Sequence, residues 1–180
     1  MAKDIEEVVD GEIIEGEVVD HNQKSELIII APHPDDEIIG TYKYLTDKKY
    51  TPIIIYSADL SAERKESTLK LKEFVNCRVQ LFQMSIPVPL VQKENTFLFP
   101  DPSYELHPSH RIWGTMGEQL ARAGYDVIFY STNMNAPYIH EVKNPDEKRK
   151  LLEDVYPDQK SIWEFDHKYF LFEGHCKWVF

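Results

Sequence analysis

Residues 27–37, which read LIIIAPHPDDE, determine how the rest of the chain is interpreted. The first five residues form a continuous apolar run rich in β-branched side chains, which is typical of a strand buried on both faces of a parallel sheet. The polar residues that follow stand where that strand would end and a helix would begin. The segment therefore predicts a buried strand that brings one histidine and three carboxylates to the edge of a sheet.

Other short runs predict further strands and helices. Residues 52–57 and 126–132 are apolar enough for buried strands, whereas residues 78–84 alternate polar and apolar side chains as a more exposed strand would. The expected helices are residues 37–48, 61–75, 111–124 and 146–155. The proline-rich residues 85–106 are predicted to form a long loop, and such loops often belong to active sites.

The order of these elements predicts the fold class. Strands alternate with helices, which favours an α/β, Rossmann-like fold with a mostly parallel sheet flanked by helices and the active site at the C-terminal ends of the strands. In the second helix Ser61 is the expected cap, and the expected inward-facing side chains are Leu69, Leu71 and Phe74. The aromatic-rich residues 163–180 are expected to pack back onto the domain.

Composition restricts the functional class. The chain has 180 residues, which suits one domain (residues 26–180) preceded by an acidic arm (residues 1–25). The net charge of −11 disfavours binding to duplex nucleic acid or anionic membranes. Only two cysteines occur, and no apolar run is long enough to cross a bilayer. These features predict a cytoplasmic protein without a disulfide framework, and they leave its oligomeric state open.

His33, Asp35 and Asp36 have the chemistry of a hydrolytic metal site. Imidazole nitrogen and carboxylate oxygen are both zinc ligands, and catalytic zinc keeps a position open for water. One aspartate could bind the metal while the other accepts a proton from the bound water, and the residues alone do not decide between them. The alternative is an ordinary helix N-terminus, where acidic residues are common. The three acidic residues alone favour this alternative. His33 and Pro34 at the end of a buried strand shift the balance to the metal site, since two adjacent aspartates there are costly unless a cation neutralises them.

A second group, His107-Pro108-Ser109-His110, could complete the ligand set. Two histidines three residues apart across a helix start can point to the same side. A His-x-x-His pair is also common as surface decoration, so its position before the helix that leads to strand 126–132 is the stronger argument. The other histidines are weaker candidates: His21, His140, His167 and His175, the last of which is adjacent to Cys176.

The two motifs resemble those of the PIG-L (LmbE-like) N-acetylglucosaminyl deacetylase family. That family has a strand ending in Ala/Pro-His-Pro-Asp-Asp-Glu, which here is residues 31–37, and later a His-Pro-Asp/Ser-His-Arg segment, which here is residues 107–111. Weaker similarity occurs around Arg64 and Glu66 and over residues 148–159. The resemblance therefore extends from about residue 26 to residue 159 and excludes the acidic arm.

The resemblance implies roles for individual residues. It implies zinc, or another divalent metal, held by three ligands: His33, Asp36 and His110. Asp35 would be the general base that activates the zinc-bound water, and His107 would stabilise the oxyanion and protonate the leaving amine. The implied reaction removes an N-acetyl group from a small amino-sugar substrate and releases acetate and a free amine.

One departure and two alternatives accompany this interpretation. The family has a Gly-Gly pair in its first helix where this chain has Tyr42 and Lys43, which predicts altered helix packing or an altered pocket floor. A zinc amidase that cleaves a bulkier amide or a nucleotide-linked acetamide would use the same residues. A catalytically silent carbohydrate-binding module could share the fold. The sequence does not identify the substrate's carrier group.

Overall fold

A single seven-stranded sheet forms the centre of the molecule. The computed structural model describes residues 25–57, 61–81, 85–133, 135–161 and 168–179, so the predicted acidic arm lies outside the described residues except for Ser25. The strands are β1 (Leu27–Ala31), β2 (Ile53–Tyr56), β3 (Arg78–Gln80), β4 (Thr96–Pro100), β5 (Asp126–Ser131), β6 (Ile139–Glu141) and β7 (Phe172–Cys176). Their order in the sheet is β3-β2-β1-β4-β5-β7-β6.

Among the described strands, β7 alone runs in the direction opposite to the others. β1 to β5 all pair in parallel, whereas β7 pairs antiparallel with both β5 and β6. The α/β prediction with a mostly parallel sheet flanked by helices is confirmed, and the arrangement is consistent with a Rossmann-like fold. The helices are α1 (Asp36–Leu45), α2 (Ala62–Phe74), α3 (Pro108–Arg122), α4 (Pro145–Val155) and α5 (Lys168–Leu171), with short 3-10 turns at Val88–Leu90 and Pro157–Gln159.

The two faces of the sheet bury separate cores. Ile29 and Ala31 face the core shared with α1, α2 and α4, whereas Ile28 and Ile30 face the core under α3. This alternation explains why β1 has no polar side chain, since both of its faces are covered. Tyr130 of β5 lies against α1, where a methyl group on Gly40 would come within 2.2 Å of its ring.

The predicted loop at residues 85–106 is wrong, because it contains a central strand. β4 lies between β1 and β5, and its Phe97, Leu98 and Phe99 are fully buried. The four prolines of the segment suggested a loop, but Pro100 is the last residue of β4. A proline is tolerated there because a strand end demands fewer ladder hydrogen bonds from its N–H groups.

Several boundaries and orientations differ from the sequence prediction. Ser61 caps α2 by accepting a hydrogen bond from the Arg64 amide, as expected. Leu71 is buried, but Leu69 and Phe74 are 45% and 46% exposed, so their predicted inward orientation is wrong. α2 lies beside the edge strand β3, and only a narrow stripe of the helix is covered. The predicted strand at residues 78–84 ends at Gln80, and residues 82–84 lie outside the described residues.

The end of the chain joins the sheet, as expected for residues that pack back onto the domain. β7 pairs beside β5, and the ring of Trp178 stacks on Phe129 with a centroid distance of 4.6 Å. None of the helices in the described ranges is both long and apolar enough to cross a membrane.

The order of the sheet creates one topological switch point. The chain leaves β1 towards β2 and β3, and it then returns to the other side of β1 as β4. The segments after β1 and β4 therefore diverge to opposite faces and leave a crevice between them, which is where open α/β sheets commonly bind ligands. His33 to Asp36 follow β1, and residues 101–110 follow β4.

A buried lysine connects three elements. Lys148 of α4 donates hydrogen bonds from Nζ to the carbonyls of Ile39 in α1 (2.7 Å) and Phe172 in β7 (2.9 Å). Burial lowers the pKa of Lys148 to about 7, and the nearby Glu173 offsets only part of this effect. The neutral amine still has two N–H groups for these two carbonyls, so the contacts do not need the charge.

This lysine predicts a pH-dependent stability. Between pH 7 and 10 the unfolded chain keeps a proton on Lys148 that the folded chain has released, so the free energy of unfolding rises with pH by up to about 1.4 kcal/mol per unit. We expect Lys148→Met to lose this rise, whereas the exposed control Lys150→Met keeps it. Urea unfolding at pH 7, 8.5 and 10 measures the difference, and parallel pH curves for wild type and Lys148→Met would contradict it.

Candidate functional site

The turn after β1 has a strained backbone, and two of its amides donate hydrogen bonds to nearby carboxylates. Asp35 has φ of 104°, a left-handed conformation that costs a residue with a side chain on the order of 1–3 kcal/mol. Its amide donates to Glu37 Oε2 at 3.1 Å, and the amide of His33 donates to Asp36 Oδ2 at 2.7 Å. Asp35 occupies the N-cap position of α1, but its carboxylate does not cap the helix. The ordinary role of an acidic residue at a helix start therefore does not account for it.

Three candidate ligand atoms converge beside this turn. His33 Nδ1 lies 3.0 Å from His110 Nε2, and Asp36 Oδ2 lies 3.1 Å from His110 Nε2 and 3.5 Å from His33 Nδ1. A tetrahedral zinc with bonds of about 2.0–2.2 Å would separate its ligands by about 3.4 Å. The three observed distances of 3.0, 3.1 and 3.5 Å are close to that spacing, so a small outward movement of the ligands would admit the ion. These residues could therefore hold a divalent metal.

The far nitrogen of each histidine has its own partner. His110 Nδ1 lies 2.9 Å from Glu105 Oε2, and His33 Nε2 lies 3.1 Å from Ser109 Oγ. Glu105 is itself fixed, because its carboxylate accepts hydrogen bonds from the amide and hydroxyl of Thr132. Carboxylate and hydroxyl partners of this kind set the tautomer and ring orientation of metal-binding histidines. With the far nitrogens engaged, His33 Nδ1 and His110 Nε2 are the nitrogens left to face a metal, and His110 Nε2 must first lose the proton that it shares with Asp36.

The charges of the site also fit a cation. Burial and the charges of Asp36 and Glu37 raise the pKa of Asp35 well above its usual range. Burial likewise raises the pKa of Glu37 to about 7, despite the hydrogen bond from Tyr156. A positive ion beside Asp36 would offset this repulsion and favour the ionised carboxylates.

The protonation of His110 opposes metal binding at low pH. Burial lowers the pKa of this imidazole, but the carboxylates of Asp36 and Glu105 outweigh burial and raise it to about 10. Burial also raises the pKa of Asp36, yet His110 and His33 hold it well below its usual range. A metal must therefore displace a proton from this pair, so its affinity falls as the solution is acidified.

His107 lies next to the triangle but faces a different partner. Its ring is 4.5 Å from that of His33, and Nδ1 accepts a hydrogen bond from the Ser109 amide at 3.3 Å. Nδ1 also lies 2.7 Å from Ser109 Oγ. Partial desolvation and the two neighbouring histidines lower its pKa. With Nδ1 acting as an acceptor, the neutral ring carries its proton on Nε2 and can donate it.

His107 is also close enough to be considered as a ligand. One ring nitrogen from each of His33, His107 and His110 lies within 4.8 Å of the others. The contacts to Asp36 are 1 Å or more shorter than that limit, and Nδ1 of His107 already caps α3. The geometry therefore favours Asp36 over His107 as the third member of the triangle.

A cleft of about 350 Å³ opens over these side chains. It is lined by Asp35, Asp36 and the three histidines, together with Ile39, Arg64, Thr132, Gln159 and Tyr169. The cleft has an acid–base group, a candidate metal triangle and several hydrogen-bonding groups on one wall. Such a combination can position a small polar molecule and exchange protons with it.

The structure brings together all five residues that the sequence singled out. His33, Asp35, Asp36, His107 and His110 line one cleft although the two motifs are separated by about 70 residues. Sequence reasoning gave no role to three further residues: Glu105, Ser109 and Tyr156. No spacing signal marks Glu105, because its partner His110 is five residues away and Thr132 is 27 residues away.

The weaker histidine candidates lie elsewhere. His140 and His175 are near each other on β6 and β7, with ring centroids 5.4 Å apart, and neither lines the cleft. Cys176 does not join His175, because it points to the other face of β7, towards Asp101. His21 and His167 lie outside the described residues.

The chain matches no protein-family model, no curated protein and no solved structure.

The partner of His110 gives a test of the candidate metal triangle. We expect Glu105→Gln to lower the affinity for zinc about 10–100-fold. The neutral amide of glutamine would hold the His110 ring less firmly, and the negative charge of Glu105 beside that ring would be lost. Competition against a fluorescent chelator measures the affinity. Glu94→Gln, an exposed change before β4, is the matched control and should bind zinc as wild type does. Equal affinities for all three proteins would show that Glu105 does not support a metal ligand.

Proposed function

We propose that this protein is a metal-dependent hydrolase that removes an N-acetyl group from an amino sugar or a related small acetamide. The products would be acetate and a free amine. The convergence of His33 Nδ1, Asp36 Oδ2 and His110 Nε2 within 3.0–3.5 Å of one another carries the proposal. The proposed cofactor is zinc, since a histidine, histidine and carboxylate set is a usual catalytic zinc environment. A bound zinc ion would polarise the acyl oxygen and acidify water.

Asp35 is the proposed general base. Its carboxylate lines the cleft beside Asp36 and does not cap the helix. Its pKa is raised above the usual range of a carboxylate, and a general base at neutral pH is more effective with a raised pKa. The strained backbone at Asp35 supports a functional role, because strain persists where the surrounding structure imposes it. The Glu37 carboxylate holds the Asp35 amide and thereby fixes the direction of this side chain.

His107 is the proposed hydrogen-bond donor to the reacting carbonyl group, on the side opposite Asp35. Ser109 holds Nδ1 as an acceptor, so Nε2–H is available to the oxyanion that develops when water adds to the carbonyl. When the C–N bond breaks, the proton that Asp35 took from water passes to the leaving nitrogen, while the neutral His107 keeps its Nε2 proton in the hydrogen bond to the oxygen. Asp35 thus takes up and releases the same proton, and water plus the amide give acetic acid, which ionises to acetate, and a free amine.

The size of the cleft favours a small substrate. A volume of about 350 Å³ is near the lower end for ligand pockets and suits a monosaccharide better than a bulky acyl group. Arg64, Thr132 and Gln159 provide polar groups at its wall for sugar hydroxyls. We therefore propose the acetylated amino sugar as substrate rather than the larger amide.

We also propose, from the two motifs, that the chain belongs to the PIG-L (LmbE-like) family. Location in the cytoplasm is a prediction from the sequence.

The proposal predicts separate losses at the two aspartates. In acetate-release assays on a panel of N-acetylated amino sugars, we expect Asp35→Asn to bind zinc normally and to lose about 10²–10⁴-fold in kcat, because the general base is gone. Asparagine tolerates the positive φ at this position, so the fold should be retained. Asp36→Asn should lose both zinc and activity.

Controls separate this chemistry from the alternatives. Asp146→Asn, at an exposed position in the first turn of α4, should leave acetate release unchanged. Release of a larger acid with no acetate would indicate the bulkier amidase. Full zinc occupancy in wild type without hydrolysis of any sugar in the panel would favour the silent binding module. An Asp35→Asn protein as active as wild type would refute the assignment of the base.

A further inference from the structure

A second cluster of ligating side chains lies on the antiparallel edge of the sheet. His140 of β6 pairs directly with Glu173 of β7, and His175 follows on the same face of β7 two residues later. His140 Nε2 is 3.5 Å from Glu173 Oε1, and one candidate ligand atom from each of the three residues lies within 4.8 Å of the others. Strand pairing therefore fixes the relative positions of all three Cα atoms.

Glu173 is buried and held in one orientation. Its side chain is 3% exposed, and Oε2 accepts a hydrogen bond from the amide of Lys43 at 3.1 Å. This contact leaves Oε1 directed at His140. A buried carboxylate fixed through one oxygen is the usual state of a metal ligand supported by a second group.

His175 gives an independent indication of a ligand. Both ring nitrogens are buried, and neither meets the distance and angle of a hydrogen bond to any described residue, although the backbone of Gly40 lies near enough to interact with the ring. Gly40 can serve one nitrogen at most, so the other lacks a partner, and an unpaired buried polar atom is costly. Packing against Tyr44, at a ring distance of 4.8 Å, would be served as well by an apolar side chain.

The site is accessible to a cation from solution. His140 and Glu173 line a groove of about 590 Å³ that also contains Tyr42 and Lys43, the residues that depart from the Gly-Gly pair of the resembled family. His140 is 43% exposed on an edge strand, so its ring can rotate to close the remaining distance to His175. The groove supplies an entry path without unfolding.

We propose that His140, Glu173 and His175 form a second divalent-cation site, separate from the cleft at His33 and selective for zinc-like ions. Two imidazoles and one carboxylate suit Zn²⁺ and similar transition-metal ions, whereas Mg²⁺ and Ca²⁺ prefer all-oxygen sites. A bound ion would satisfy His175 and would crosslink β6 to β7. This proposal is independent of the deacetylase activity.

Metal stoichiometry tests the second site on proteins that should all fold. After zinc loading and removal of free metal, we expect about two zinc ions per wild-type chain and about one in His140→Gln and in Glu173→Gln. Both changes conserve size, and the amide oxygen introduced by Glu173→Gln can still accept the hydrogen bond from Lys43. Glu94→Gln, an exposed change that lines neither the groove nor the cleft, is the matched control and should keep both ions. Magnesium loading should not replace the second ion.

The outcomes distinguish this proposal from the proposed function. Loss of one zinc in His140→Gln with acetate release retained supports the second site. A single zinc in wild type that disappears in His140→Gln also supports it, and it refutes the metal centre at His33. Equal zinc content in wild type, His140→Gln and Glu173→Gln overturns the second site, whatever the activity.

Discussion

Burial of three consecutive carboxylates is the constraint on which the site depends. Asp35, Asp36 and Glu37 are at most 7% exposed at the end of β1, where repulsion and desolvation both oppose ionisation. Two of these carboxylates have specific partners. His110 faces Asp36, and Glu37 accepts hydrogen bonds from the hydroxyl of Tyr156 and the amide of Asp35. These contacts do not fully offset the repulsion among the three carboxylates, and a divalent cation beside Asp36 would reduce it. The arrangement therefore supports the proposed metal site.

The first helix connects the two candidate sites. α1 begins at Asp36, beside the cleft, and the amide of Lys43 near its other end holds the carboxylate of Glu173. Thr41 has non-helical backbone angles, so the helix is kinked between them. Lys148 binds the carbonyl of Ile39 within the same helix and that of Phe172 in β7. One packed helix thus contacts both clusters.

The elements that were predicted correctly are those that a local sequence pattern specifies. The β-branched run of β1 and the cap at Ser61 have short-range causes, so these elements were identified correctly. β4 was missed because three apolar residues between prolines do not show that a strand lies at the centre of a sheet. Leu69 and Phe74 were assigned inward because periodicity shows an apolar stripe but not how much of that stripe a neighbour covers.

The residues of the two sites also divide into those marked by a local motif and those that depend on contacts between distant parts of the chain. The five cleft residues were found because each lies in a short motif with recognisable chemistry, and switch-point topology brings the motifs together. Glu105 was not found, since its contact with His110 depends on the loop after β4. The cluster of His140, Glu173 and His175 depends on the register of β6 against β7, which no local pattern specifies. Pairing across strands is information that the linear sequence does not display.

The most direct test of the metal centre is the position of the ion. We predict that X-ray diffraction from zinc-loaded crystals, collected on both sides of the zinc absorption edge, gives an anomalous peak about 2.0–2.2 Å from His33 Nδ1, Asp36 Oδ2 and His110 Nε2. A fully loaded crystal with no peak at these three atoms, or with His107 in place of Asp36 as the third ligand, would contradict the account.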